Sequence, residues 1–541
     1  MSKLIVFGLD GGLLRLVEQW IDELPNLKKI LKEGSYGKLK STYPPLTSPA
    51  WASMFTGRNP AKLGMFGFIN NLFGAKGKFM LNSSVQYNHL AIWNTLNRNG
   101  KKVGIFNLPL TFPPHKVDSF MVCGVGSPTA MKSTFTYPPE LKKELDKVTG
   151  EYEILPPILL TAPGNEEQYL AALDETVRKR EQAAAYLMEN KPWDLFICVF
   201  FVLDMVQHRY WHHMDESHIR HTDNRYRDVI KNYYKKVDAA IGRLLEKAPD
   251  GTNVLVTSDH GFGPANGMFA VNKWLEKNGY LKINPQMSRG IYNTTLINIR
   301  NFLLARLSPN MTRRIAKMLP KSIATRLTVR EAHRNEMVHV YENIDWAHTQ
   351  AYGMGEVGMI YINLKGRESE GIVEPGEEYE NICKDIVSRL KEVKNPDTGE
   401  KINIDIHRKE EVYSGPYYQE APDILYRMER YHQSVLIKQD DVWFAAGLSG
   451  HHIQDGIFAA WGPDIKRNEN KLEGLNIYDI TPTILHTFGL PVSKDIDGRV
   501  LTDIFKSDSE PGMRQVEYHE DEHETERVRE KIKQLKKLKK L

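Results

Sequence analysis

Cysteine is nearly absent from this 541-residue chain: Cys123, Cys198 and Cys383 stand alone, odd in number and without metal-ligand spacing. That excludes a thiolate metal site and fits a reducing compartment, so a cytoplasmic location is expected. Long apolar runs are missing too. The longest, Leu195 to Leu203, has nine residues, where a membrane helix takes about 20, so no transmembrane segment is expected. The opening MSKLIVFGLD is interrupted by Asp10 too soon for a signal peptide and reads as a strand. Nor does charge of one sign dominate: a net +4 gives no warrant for a nucleic-acid partner. What remains, 41% hydrophobic and 26% charged, is ordinary globular composition. The chain is longer than one core usually fills, so a large domain with insertions, or two domains, is expected.

Several apolar runs end abruptly in polar residues. Lys3 to Leu9 stops at Asp10 before Gly11 and Gly12. Asp194 to Val202 (DLFICVFFV) runs into Asp204 and His208, four residues apart, and NVLVTSDHGF (Asn253–Phe262) ends in Asp259 and His260. Such runs read as buried strands of a parallel sheet, and ligands bind where those strands end. Helical spacing separates them: Glu18–Glu33, Leu90–Asn97, Asn165–Asn190 and Arg227–Lys247. The alternation predicts an α/β fold, a doubly wound, mostly parallel sheet flanked by helices. Thr47 and Ser48 precede a predicted helix that holds Pro49 near its start, a place that favours an anion and lets a hydroxyl attack one. His451 and His452 lie in a glycine-flanked loop before another apolar strand. Each feature has a plain structural alternative: helix caps for Asp10, Thr47 and the Asp259–His260 pair, and a structural pair for Asp204 and His208.

The pattern breaks at Lys277–Arg330, which has eleven Lys and Arg and no Asp or Glu. It reads as an inserted basic cap suited to an anionic substrate or anionic lipid, or as a solvated helical pair. The domains expected are 1–276, first part of the core; 277–340, basic helical cap; 341–507, second part of the core; and 508–541, a charged helical tail. The tail's narrow stripe of Val528, Ile532, Leu535 and Leu538 suits docking on the core or pairing with a second copy.

Collected, the candidate ligands are Asp10, Asp204, Asp259, His208, His260 and His452, with a hydroxyl at Thr47. Three carboxylates and three imidazoles suit two divalent ions of the Zn²⁺ or Mn²⁺ kind, which clamp both ends of an in-line displacement at phosphorus. With FGLDGG, TSPAWASMFTGRNPAKLG, DMVQH, TSDHGFG, the His452 loop and DITPTILHTFGLP in this order, the chain resembles the alkaline phosphatase superfamily, and within it the type I phosphodiesterase/nucleotide pyrophosphatase family. The resemblance implies an alkaline phosphatase-like fold. It implies one metal at Asp10, Thr47, Asp259 and His260, another at Asp204, His208 and His452, and Thr47 as the nucleophile that forms a phosphothreonine intermediate. His452 is chosen over His451 because it keeps the family's spacing to the next strand. The implied substrate is a small phosphorylated molecule, a nucleotide among the candidates. Asn70 or Asn71 is the candidate substrate contact, and Trp51, Phe66, Phe68 and Phe73 a candidate wall for a base.

Three other readings stand beside this one. A phosphomonoesterase or a phosphomutase of the same superfamily is the nearest, although mutases typically carry Ser where this chain has Thr47. A sulfatase is set aside because no Arg follows Pro49 at the needed spacing. A noncatalytic scaffold that keeps the fold would be expected to lose some of the seven positions.

Overall fold

The computed structural model describes residues 3–71, 79–127, 134–156, 166–284, 337–355, 357–435, 437, 441–467 and 471–520. Most of the expected basic cap, the apolar stripe of the tail and Phe73 lie outside the described residues. The frame is a nine-stranded sheet. In chain order its strands are β1 (Lys3–Leu9), β2 (Ser35–Lys40), β3 (Val103–Leu108), β4 (Phe120–Cys123), β5 (Thr136–Tyr137), β6 (Leu195–Phe200), β7 (Thr252–Thr257), β8 (Asp455–Trp461) and β9 (Leu472–Asn476). Across the sheet they run β9-β2-β8-β7-β1-β6-β3-β4-β5. Strands β7, β1, β6, β3 and β4 are parallel, whereas β8 is antiparallel to both its neighbours and β5 to β4.

The centre of this sheet follows from composition. Every residue of β6 and β7 is buried, as only strands covered on both faces tolerate. The crossover helix Val229–Leu245 buries Val229, Ile230, Tyr233, Val237, Ile241 and Leu244, its apolar stripe, against that core. Register aligns the strand ends: Leu9 lies opposite Phe200, and Gly8 opposite Thr257. Asp10, the start of the Val202–Met214 helix and the Asp259–His260 turn therefore leave the sheet along one edge.

Two further apolar strands are Met359–Ile362 and Ile424–Met428. They pair in a separate four-stranded sheet with Ala351–Gly353 and Ile404–Arg408. That sheet and the helix Glu377–Leu390 share a second hydrophobic cluster, which also takes in Tyr43 and Leu46. Ala50 and Trp51 belong to the first cluster. Thr47 thus sits at the seam between two cores, held from both sides.

Candidate metal centre and nucleophile

Thr47 is the first residue of the helix Thr47–Met54, one step further in than the sequence predicts, and Leu46 is the N-cap, with no side-chain cap bond. The capping alternative therefore fails for Thr47, and Ser48 is spent on the Gly67 carbonyl at 2.7 Å. Thr47 Oγ1 instead lies 3.3 Å from His260 Nε2. Asp10 caps nothing either, since the next helix begins after Leu13 without a side-chain cap. Asp259 and His260 lead into the strand Gly261–Pro264 rather than into a helix.

The seven positions converge. Asp204 and His208 share a face of the Val202–Met214 helix, as four-residue spacing requires. The strand Gly450–Ile453 pairs with Gly261–Pro264 so that His452 lies opposite Phe262. Asp204 Oδ1 is 3.1 Å from His452 Nε2 and 3.4 Å from His208 Nε2, and those two nitrogens are 2.9 Å apart. On the other side, His260 Nε2 is 3.2 Å from Asp259 Oδ2 and 3.8 Å from Asp10 Oδ1. Two groups have ligand atoms all within 4.8 Å of one another: Asp204, His208 and His452; and Asp10, Asp204 and His260. Asp204 reaches both.

Backbone carbonyls settle the tautomers. His208 Nδ1 faces Gly450 O at 2.9 Å, His452 Nδ1 faces Pro45 O at 3.1 Å, and His260 Nδ1 faces Gly261 O at 3.1 Å. Each Nδ1 donates to a backbone carbonyl, so each ring when neutral aims an Nε2 lone pair inward, as the imidazoles of metal sites do. Asp10 Oδ1 and Asp259 Oδ2 are buried and accept from no donor among the described residues. Lone pairs and carboxylate oxygens crowded without donors suit a hard or borderline cation.

The charges agree with that reading. Burial pushes the Asp10 carboxyl well above its usual range, with Asp259 and Asp204 adding to the rise, and burial takes Asp259 up to about 7. On Asp204 burial also acts upward, but the neighbouring His208 prevails and holds it below the usual carboxylate range. Burial pushes His260 and His452 down to about 4, leaving both rings neutral at pH 7. For His208 burial acts downward, and the Asp204 charge outweighs it. Two carboxyls that ionise reluctantly beside two neutral imidazoles describe a site that positive charge would complete.

Trp51, read from the sequence as part of a wall for a base, is placed otherwise. It is buried and donates from Nε1 to Asp10 Oδ2 at 2.8 Å, so it orients a candidate ligand rather than lining a base. Phe66 is likewise buried, packed on Tyr413. Asn70 is committed internally, donating to Gly64 O and accepting from Asn82 at 2.9 Å. Trp51 crosses β1 because Gly8 lacks a side chain: a Cβ there would meet Trp51 Cη2 at 2.5 Å and Val199 Cγ2 at 2.9 Å. Gly8→Ala is expected to destabilise the fold by about 1–3 kcal/mol and to shift Trp51 away from Asp10, which denaturant titration and tryptophan fluorescence will register.

A family model for type I phosphodiesterase / nucleotide pyrophosphatase matches residues 4–457. In sequence, no curated protein is detectably similar. Among solved structures, human ectonucleotide pyrophosphatase / phosphodiesterase 5 has a TM-score of 0.47 at 14% identity, over 90% of this chain and 95% of that one. The murine protein of the same name has 0.49 at 14%, over 93% and 100%, and its inactive variant in complex with AMP has 0.46 at 14%, over 91% and 96%. The family is one of phosphoric ester hydrolases with an alkaline phosphatase-like α/β fold. Matched over most of its length, the chain belongs to the type I phosphodiesterase / nucleotide pyrophosphatase family.

Proposed function

We propose that this chain hydrolyses phosphodiesters with Thr47 as the nucleophile and two divalent cations as cofactors. The observation that carries the reading is the convergence of three backbone-anchored imidazoles and three carboxylates, with the Thr47 hydroxyl 3.3 Å from one of those imidazoles. Asp204, His208 and His452 would hold one cation, and Asp10, Thr47, Asp259 and His260 the other. Divalent cations in such a site lower the pKa of a bound hydroxyl and stabilise charge on phosphoryl oxygens.

The chain's own residues supply position. Cores on both sides of Thr47 fix Oγ1 beside His260. The opening N–H groups of the Thr47–Met54 helix, which have no intrahelical acceptor, favour a phosphoryl oxygen. Attack by Oγ1 forms a bond to phosphorus as the bond to the leaving alkoxide breaks. Water then cleaves the threonine ester, releasing the phosphomonoester and restoring the hydroxyl. The substrate we propose is a small phosphorylated molecule, with nucleotide diesters and pyrophosphates the first class to screen, as the family's description indicates.

Hydrolysis of bis(4-nitrophenyl) phosphate and of 4-nitrophenyl phosphate, compared with Mn²⁺ or Zn²⁺ present, tests the reading. Faster cleavage of the diester is expected. A preference for the monoester would place the chain among phosphatases instead.

A further inference from the structure

One fully buried amide ties the two halves of the metal centre together. Gln207 lies on the Val202–Met214 helix, three residues after Asp204 and one before His208. Its Nε2 donates to Gly11 O at 2.8 Å, and its Oε1 accepts the Tyr234 hydroxyl at 3.4 Å. That hydroxyl in turn accepts from Leu13 N at 3.0 Å. The helix that carries two candidate ligands of one cation is thereby bonded to the turn after Asp10, a candidate ligand of the other.

Gly11 sits at φ 70, a region that glycine enters and leaves at little cost. The direction of its peptide groups therefore depends on the bonds they make. Gly11 O accepts from Gln207, and Gly11 N donates to Asp259 Oδ1 at 3.1 Å. With Oδ1 engaged in this way, Asp259 turns its other oxygen to the site: Oδ2 accepts from no donor among the described residues and lies 3.2 Å from His260 Nε2.

We propose that Gln207 is a positioning residue of this centre. By fixing the Gly11 carbonyl it aims the Gly11 N–H at Asp259, and so presents Oδ2 to the cation held by Asp10, Asp259 and His260. The inference rests on the two-cation reading above and adds to it a residue that acts only through Gly11. A buried partner that orients a ligating carboxylate contributes to metal affinity without touching the metal.

Two variants test it. Gln207→Met keeps the length of the side chain and removes the donor; Gln207→Asn keeps the amide but is one methylene too short to reach Gly11 O, and it serves if the first fails to fold. Crystals of the metal-free full chain are expected to show the Asp259 carboxylate turned away from Gly11 N in the variant and bonded to it in the parent. Calorimetric titration with Mn²⁺ is expected to show one of two affinities lowered by about 10–100-fold. Anomalous scattering from variant crystals soaked in Mn²⁺ is expected to place that loss on the Asp10, Asp259 and His260 side. An Asp259 carboxylate that keeps its parental position, or a variant that is less stable but binds both ions with parental affinity, overturns the proposal. A parent that binds fewer than two Mn²⁺ ions would count against the two-cation reading instead, and the metal-free crystals alone then decide the role of Gln207.

Discussion

Thr47→Ala is expected to lower phosphodiester turnover by at least ~10³-fold while the protein folds as before. The hydroxyl caps no helix and lies against His260 Nε2 at 3.3 Å, so its removal takes away the attacking atom without a structural bond. Steady-state rates on bis(4-nitrophenyl) phosphate, with circular dichroism and melting temperature alongside, separate these effects. A variant that turns over at a tenth of the parent rate would mean that another group, or water itself, attacks phosphorus. Retained Mn²⁺ or Zn²⁺ binding is expected too, because three other residues remain on that side of the site.

The second large effect is expected from Asp204→Asn. Asp204 is the one carboxylate whose oxygen reaches both candidate ligand groups, and it faces His208 and His452 together. Loss of its charge should reduce cation content, measured by elemental analysis, and lower turnover by ~10²-fold or more. In the metal-free protein the His208 ring, held up by Asp204, should titrate at lower pH, which NMR of labelled histidine will follow. Full cation loading with parental turnover would remove Asp204 from the machinery.

Much of this site was legible in the sequence because strand ends announce themselves. A buried parallel strand must be apolar along its whole length, so the polar residue that ends it stands out, as Asp10 and Asp259 do. The helical repeat likewise put Asp204 and His208 on one face. What the run of residues did not decide was whether these groups capped helices. That needed the next element: a helix opened by Leu13 after Asp10, and a strand rather than a helix after His260.

Contacts distant in sequence were not legible. The Trp51–Asp10 bond depends on space left by Gly8, and no periodicity encodes it. His451 and His452 are distinguished by alternation in a four-residue strand that reads as a loop from sequence; their rings point to opposite sides, His452 toward Asp204 and His451 toward His432. The outer strands β2 and β9, SYGKLK and LEGLN, are too polar to register as strands because they pair near the edge. Apolar strands such as Met359–Ile362 do register, but which sheet they join is a matter of tertiary pairing.

The stereochemical course at phosphorus tests the central claim most directly. With a chiral phosphorothioate diester hydrolysed in isotopically labelled water, attack by Thr47 followed by water gives two inversions. The account predicts net retention of configuration. Net inversion would show a single displacement by water and contradict a threonine nucleophile.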